Sequence, residues 1–120
     1  MQPLQLPATD LTPAIHFDKE KEIFLIEGRS VADNPEPTFE QALNWLQEYS
    51  KSPNSTTKFC LKFEYYNPAT ARLLLNLFKV LENMKGAKII WQFLEDDEDM
   101  EESGQELAEL VTIPFDFQPY

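Results

Sequence analysis

Tyr65-Tyr66-Asn67-Pro68-Ala69-Thr70-Ala71-Arg72 decides the fold, because an apolar run from Phe59 to Tyr66 gives way there to an amphipathic stretch. The run reads as a strand. Beyond it, Leu73, Leu74, Leu77, Leu81 and Met84 recur at helical spacing, which predicts a helix over about 68–85 with that stripe on the core. Asn67 is placed to cap this helix, and Pro68 suits its first position, where the N–H would have no partner within the helix. Gly86 reads as the C-cap. A strand that turns at once into a helix leaves the first backbone N–H groups facing outward, so partners and anions tend to meet such a corner.

Upstream, Thr12 to Phe17 and Ile23 to Glu27 are short runs rich in β-branched and aromatic residues, separated by charged residues 18–22, and predict an antiparallel hairpin. Pro35 and Pro37 then break the chain. Thr38 with Gln41 fits a capping box, and Phe39, Ala42, Leu43, Leu46 and Tyr49 predict a helix from about 38 to 50. Downstream, residues 87–94 read as a strand and 99–111 as a helix with Met100, Leu107, Leu110 and Val111 apolar. Residues 112–117 read as a closing strand, with Pro114 pointing to a sheet edge. The expected fold is α/β: one domain over residues 1–120, with a mixed sheet, an N-terminal hairpin and three helices in the order ββαβαβαβ. That order resembles the STAS, or anti-sigma-factor-antagonist, architecture.

A chain of 120 residues with 42% hydrophobic content suits one modest core. Its first residues lack a basic, apolar leader pattern, and no run approaches the ~20 apolar residues of a membrane span, so a cytoplasmic protein is expected. Twenty-one acidic residues against ten basic ones give a formal charge of -11, which disfavours nucleic acid or an anionic membrane as partner and leaves proteins. The excess is concentrated at Glu95, Asp96, Asp97, Glu98, Asp99, Glu101 and Glu102.

Catalytic patterns are scarce. His16 is the only histidine, so no Cys or Ser nucleophile has a second histidine to serve as base, and Cys60 reads as a small buried thiol. Gly28, Gly86 and Gly104 are not spaced as a phosphate-binding loop, and no cofactor is implied. The acidic run lacks the spacing of an EF-hand. It reads as a solvated loop leading into a helix N-terminus, or as a docking surface for a basic partner.

Several segments together resemble the SiaC family of bacterial regulatory phosphoproteins, in register over nearly the whole chain. They are Thr12-Pro13-Ala14-Ile15, Gly28-Arg29-Ser30 with Asp33-Asn34-Pro35, Tyr65-Tyr66-Asn67, Trp91, the Glu95 to Met100 run and Pro114-Phe115. The resemblance implies a non-enzymatic partner-switching regulator. Family members are phosphorylated by a dedicated serine/threonine kinase and dephosphorylated by a PP2C-type phosphatase. The unphosphorylated form binds and activates a diguanylate cyclase, linking the switch to cyclic-di-GMP and biofilm formation.

One departure matters. The family pattern at the corner is Asn-Thr-Ser-Ser, with the phosphate on the threonine after the asparagine, whereas this chain has Asn67-Pro68-Ala69-Thr70. Proline keeps the helix start and removes the acceptor. Thr70 is the remaining candidate phosphoacceptor, but at 100° per residue it shares the stripe of Leu74, Leu77 and Leu81 and is expected to pack toward the sheet. The partner-binding surface is expected at Tyr66, Asn67, Pro68 and Arg72, together with Asp96, Asp97 and Glu98. The alternative class is a small metal-binding protein or enzyme using the carboxylate run and His16.

Overall fold

The computed structural model describes residues 1–120. The elements are β1 (Leu4–Leu6), β2 (Ala14–Asp18), β3 (Ile23–Ser30), α1 (Glu36–Tyr49), β4 (Thr57–Tyr66), α2 (Pro68–Glu82), β5 (Ala87–Phe93), α3 (Glu98–Glu109) and β6 (Phe115–Pro119). The expected ββαβαβαβ order is present, with one short strand added in front. All six strands form one sheet in the order β1-β2-β3-β4-β5-β6. Strands β1, β2 and β3 pair antiparallel, and β3 through β6 pair parallel.

Because the parallel strands advance in one direction and such crossovers are right-handed, all three helices cover the same face of the sheet. Strand alternation supplies the matching apolar layer: Phe17, Phe24, Ile26, Phe59, Leu61, Ile89 and Trp91 are buried in one core with Phe39, Leu46, Leu74, Leu77, Phe78 and Leu81 from the helices. The opposite face carries His16, Glu27, Cys60 and Lys62, none of them fully buried.

Several boundaries differ from expectation. Helix α1 starts at Glu36 with Pro35 as N-cap, so Thr38 lies inside the helix and makes no capping bond, and the Gln41 amide donates instead to the Pro37 carbonyl at 3.3 Å. Proline at position 37 is tolerated because a first-turn N–H has no partner to lose. Helix α2 ends at Glu82 with Asn83 as C-cap, not Gly86. Gly86, at φ +80°, makes the turn into β5, and its carbonyl accepts from the Thr57 N–H at 3.0 Å. Leu73 is only half-buried. It lies with Leu43 in a groove of about 320 Å³ between α1 and α2.

Leu110 is not a core residue but is 65% exposed just beyond α3. The last strand begins at Phe115 rather than at 112, because Thr112 is held in a turn by N–H and hydroxyl bonds to the Glu82 carboxylate, at 3.1 and 2.5 Å. No helix is long and apolar enough to cross a membrane.

Candidate functional site at the strand-to-helix corner

The corner is built by an irregularity one strand away. Gly28 has φ +112°, and the β3–β4 register shifts there: Gly28 faces Phe63 while Arg29 faces Tyr65, leaving Glu64 as the extra residue. The shift puts Ser30 opposite Tyr66 and buries it completely beside the start of α2.

Asn67 then caps α2. Its Oδ1 accepts from the Thr70 N–H at 2.9 Å and its Nδ2 donates to the Ala32 carbonyl at 2.9 Å, while its own N–H donates to the Ser30 carbonyl at 3.0 Å. Pro68 follows at the first helical position and is exposed. Thr70 is fully buried, its hydroxyl 2.6 Å from that of Ser30 and 2.7 Å from Asn67 Oδ1.

Between α2 and α3 the corner opens into a groove of about 460 Å³. Tyr65, Tyr66, Asn67, Pro68, Ala71, Arg72 and Leu75 line one side, and Ser103, Glu106, Leu107 and Leu110 the other. Tyr65 is 53% exposed. Tyr66 leans inward, with ring centroids 5.3 Å from Phe63 and 6.0 Å from Trp91. Burial pushes the Tyr66 phenol up, the Ser103 hydroxyl draws it partly back and Glu106 adds to the rise, so it stays a neutral donor at physiological pH. The groove therefore offers two aromatic rings, exposed leucine and one cation opposite one carboxylate, and tyrosine and arginine are the types that protein interfaces use as anchors.

Because β4 and β5 are parallel neighbours, the acidic turn after β5 lies at the same end of the sheet as the corner. Asp96 and Glu98 are exposed, whereas Asp97 is held by the fold, since its carboxylate accepts from the Met100 N–H at 3.1 Å and caps α3. None of the three lines the groove. No three His, Cys, Asp or Glu side chains converge as they would around a metal ion. His16 lies on the far face of the sheet, its Nε2 3.1 Å from the Gln5 amide.

The α3 wall of the groove, with Ser103, Glu106 and Leu110, was not legible in the sequence. Gly104 carried the available signal. It interrupts the apolar stripe between Met100 and Leu107 and leaves no room for a Cβ against the Trp91 indole, bringing α3 close to the sheet. An open α/β sheet binds small ligands in the crevice where its strand order reverses. Here the order never reverses, and the C-terminal end of the parallel strands presents the groove and the charged turn.

Comparison with known proteins adds four findings. The model of the SiaC family regulatory phosphoprotein matches residues 6–120. An uncharacterised protein of Pseudomonas aeruginosa strain UCBPP-PA14 is 23% identical over 124 residues, covering 100% of this chain and 98% of that protein. Among solved structures, apo-SiaC from Pseudomonas aeruginosa superposes with a TM-score of 0.87 at 23% identity over 98% of this chain and 99% of that one. The crystal structure of diguanylate cyclase SiaD in complex with its activator SiaC, from the same organism, gives a TM-score of 0.90 at 22% identity, covering 98% of this chain and 99% of the matched one.

Proposed function

The chain belongs to the SiaC family of regulatory phosphoproteins, and from that premise we propose that it is a non-catalytic cytoplasmic regulator that docks on a diguanylate cyclase and activates it. The observation that carries this reading is the open groove at the corner, whose exposed Tyr65, Pro68 and Arg72 lie at the same end of the sheet as the acidic turn. SiaC of Pseudomonas aeruginosa, which has this fold, is the activator in a complex with the cyclase SiaD. Contact is assigned to Tyr66, Pro68 and Arg72 in the groove, with Asp96 and Glu98 steering a basic surface toward it.

Regulation by a cognate kinase and a PP2C-type phosphatase would need an acceptor at the corner. Pro68 has no hydroxyl, and the Thr70 hydroxyl is buried between Ser30 and Asn67. A dianionic phosphate on Thr70 would lose its solvation and break two hydrogen bonds. The chain is therefore read as standing in the unphosphorylated, docking-competent form.

Affinity capture from the native cytosol, with identification of co-eluting proteins, tests the partner. Cyclic-di-GMP formation by the recovered cyclase is then measured with and without added chain, and a saturable rise in rate is expected. A co-eluting set without a cyclase, or a rate indifferent to the chain, refutes the reading. Intact-mass analysis of the protein purified with phosphatase inhibitors tests the second point: stoichiometric phosphate mapped to Thr70 would overturn it.

A further inference from the structure

We propose that Ser30, Asn67 and Thr70 are positioning residues: their polar groups set the shape of the corner from within and leave the partner contact to their exposed neighbours. The inference rests on the corner being the docking surface. It follows from the direction of a buried chain of hydrogen bonds.

The Asn67 carboxamide is oriented by its two outer partners, since Nδ2 donates to the Ala32 carbonyl at 2.9 Å and Oδ1 accepts from the Thr70 N–H at 2.9 Å. An amide oxygen can only accept. The Thr70 hydroxyl, 2.7 Å from Oδ1, must therefore donate to it. That leaves a lone pair on Thr70 Oγ1 for Ser30 Oγ, 2.6 Å away, so Ser30 is the donor in this pair. The order is fixed: Ser30 to Thr70 to Asn67.

Both hydroxyls are fully buried and no buried side-chain polar atom lacks a partner, so the chain is complete without water. It ties the end of β3, the segment through Ala32 and the first turn of α2 to one another across 40 positions of sequence. The Asn67 oxygen is filled by two donors, and the asparagine is used inward. What the corner turns outward is Tyr65, Pro68 and Arg72.

The test compares the parent protein with Thr70→Val, which keeps the shape and removes the hydroxyl, and with Thr70→Ser, which keeps the hydroxyl. Amide hydrogen exchange is followed by NMR at Asn67 and Thr70, with Ile89 and Trp91 of β5 as references. The valine variant should exchange about tenfold faster at the two corner amides than the references account for, and the serine variant should match the parent. A uniform change across all four amides, or none, overturns the hydrogen-bond chain.

Affinity for the cyclase recovered above is the second readout. Thr70→Val should weaken it about tenfold while Thr70→Ser restores it, and unchanged affinity in a valine variant with lost corner protection overturns the positioning role. If the parent protein binds no cyclase, the proposed function has failed, and the exchange measurement still decides the chain of bonds.

Discussion

Gly104→Ala should destabilise this protein, although the same change on an exposed helix face stabilises by about 1 kcal/mol. A Cβ at position 104 would stand 2.6 Å from Trp91 Cδ1 and 2.7 Å from Cε2, far inside van der Waals contact. Trp91 has nowhere to go. It is 1% exposed, its indole N–H donates to the Met100 carbonyl at 3.0 Å, and its ring is packed among Phe63, Tyr66 and Phe115. Overpacking costs about 1–3 kcal/mol, and weakening the indole hydrogen bond adds ~1 kcal/mol. After the gain in helix propensity, the net loss is about 2 kcal/mol, which for a domain of this size lowers Tm by roughly 6–10 °C. Thermal melts followed by circular dichroism read the change directly. Gln105→Ala, on the exposed side of the same helix, should shift Tm by no more than about 1 °C. A Gly104→Ala melt equal to or above that of the parent would mean that α3 does not lie against Trp91, and the groove wall it forms would have to be redrawn.

Leu77, with no exposed surface, should cost about 2–5 kcal/mol when replaced by alanine, and a loss below ~0.5 kcal/mol in chemical denaturation would put the core on another face of α2. Replacing Asp96, Asp97 and Glu98 by their amides should leave Tm nearly unchanged, because asparagine at 97 still caps α3, whereas binding to the proposed cyclase partner should weaken and lose its salt dependence; equal affinity at low and moderate salt excludes the steering role. Pro68→Thr should keep the fold and create an exposed first-turn hydroxyl; once phosphorylated it should dock more weakly, which binding of the phosphorylated and unmodified forms compares. The Glu82 carboxyl is held below the ordinary glutamate range by the Thr112 hydroxyl and N–H, so its contribution to stability is present above the unfolded-state pKa and fades as pH falls through the lowered folded value. NMR titration of Glu82 should show the depressed midpoint, and Thr112→Val should move it back up.

The long apolar patterns were the legible part of the fold. Helix α2 announced itself through Leu74, Leu77 and Leu81, and both its cap at Asn67 and the proline after it lie where local chemistry required. The first strand was not legible: Leu4-Gln5-Leu6 is three residues long and exists because β2 offers it a partner. The capping box at Thr38 failed because two prolines had already provided the helix start, which local pattern alone ranks below a Thr-x-x-Gln match. At the site, the inward direction of Thr70 followed from helical phase, since the stripe fixes the angle of every residue on α2. The pairing of Thr70 with Ser30 did not, because it depends on the bulge at Gly28 that sets the register of a neighbouring strand. The groove was half legible for a similar reason. Its α2 side is local sequence, and its α3 side depends on how closely a glycine lets one helix approach the sheet.

The strand order, identical to the chain order, also bears on how the molecule is made. Each strand pairs with the one synthesised just before it, so a chain emerging from the ribosome extends an existing sheet and never has to insert a strand between two others. Each parallel pairing still closes over the helix between its two strands, as Leu25 with Cys60 and Thr57 with Ala87 show, so loop-closure entropy is met one crossover at a time. At each stage β1 forms one edge of the growing sheet and the newest strand the other, and the next strand–helix unit covers the newer edge. In the finished sheet that edge passes to β6, where Pro119 removes one of the N–H groups a stray strand could bind and Pro114 stands just before its first residue.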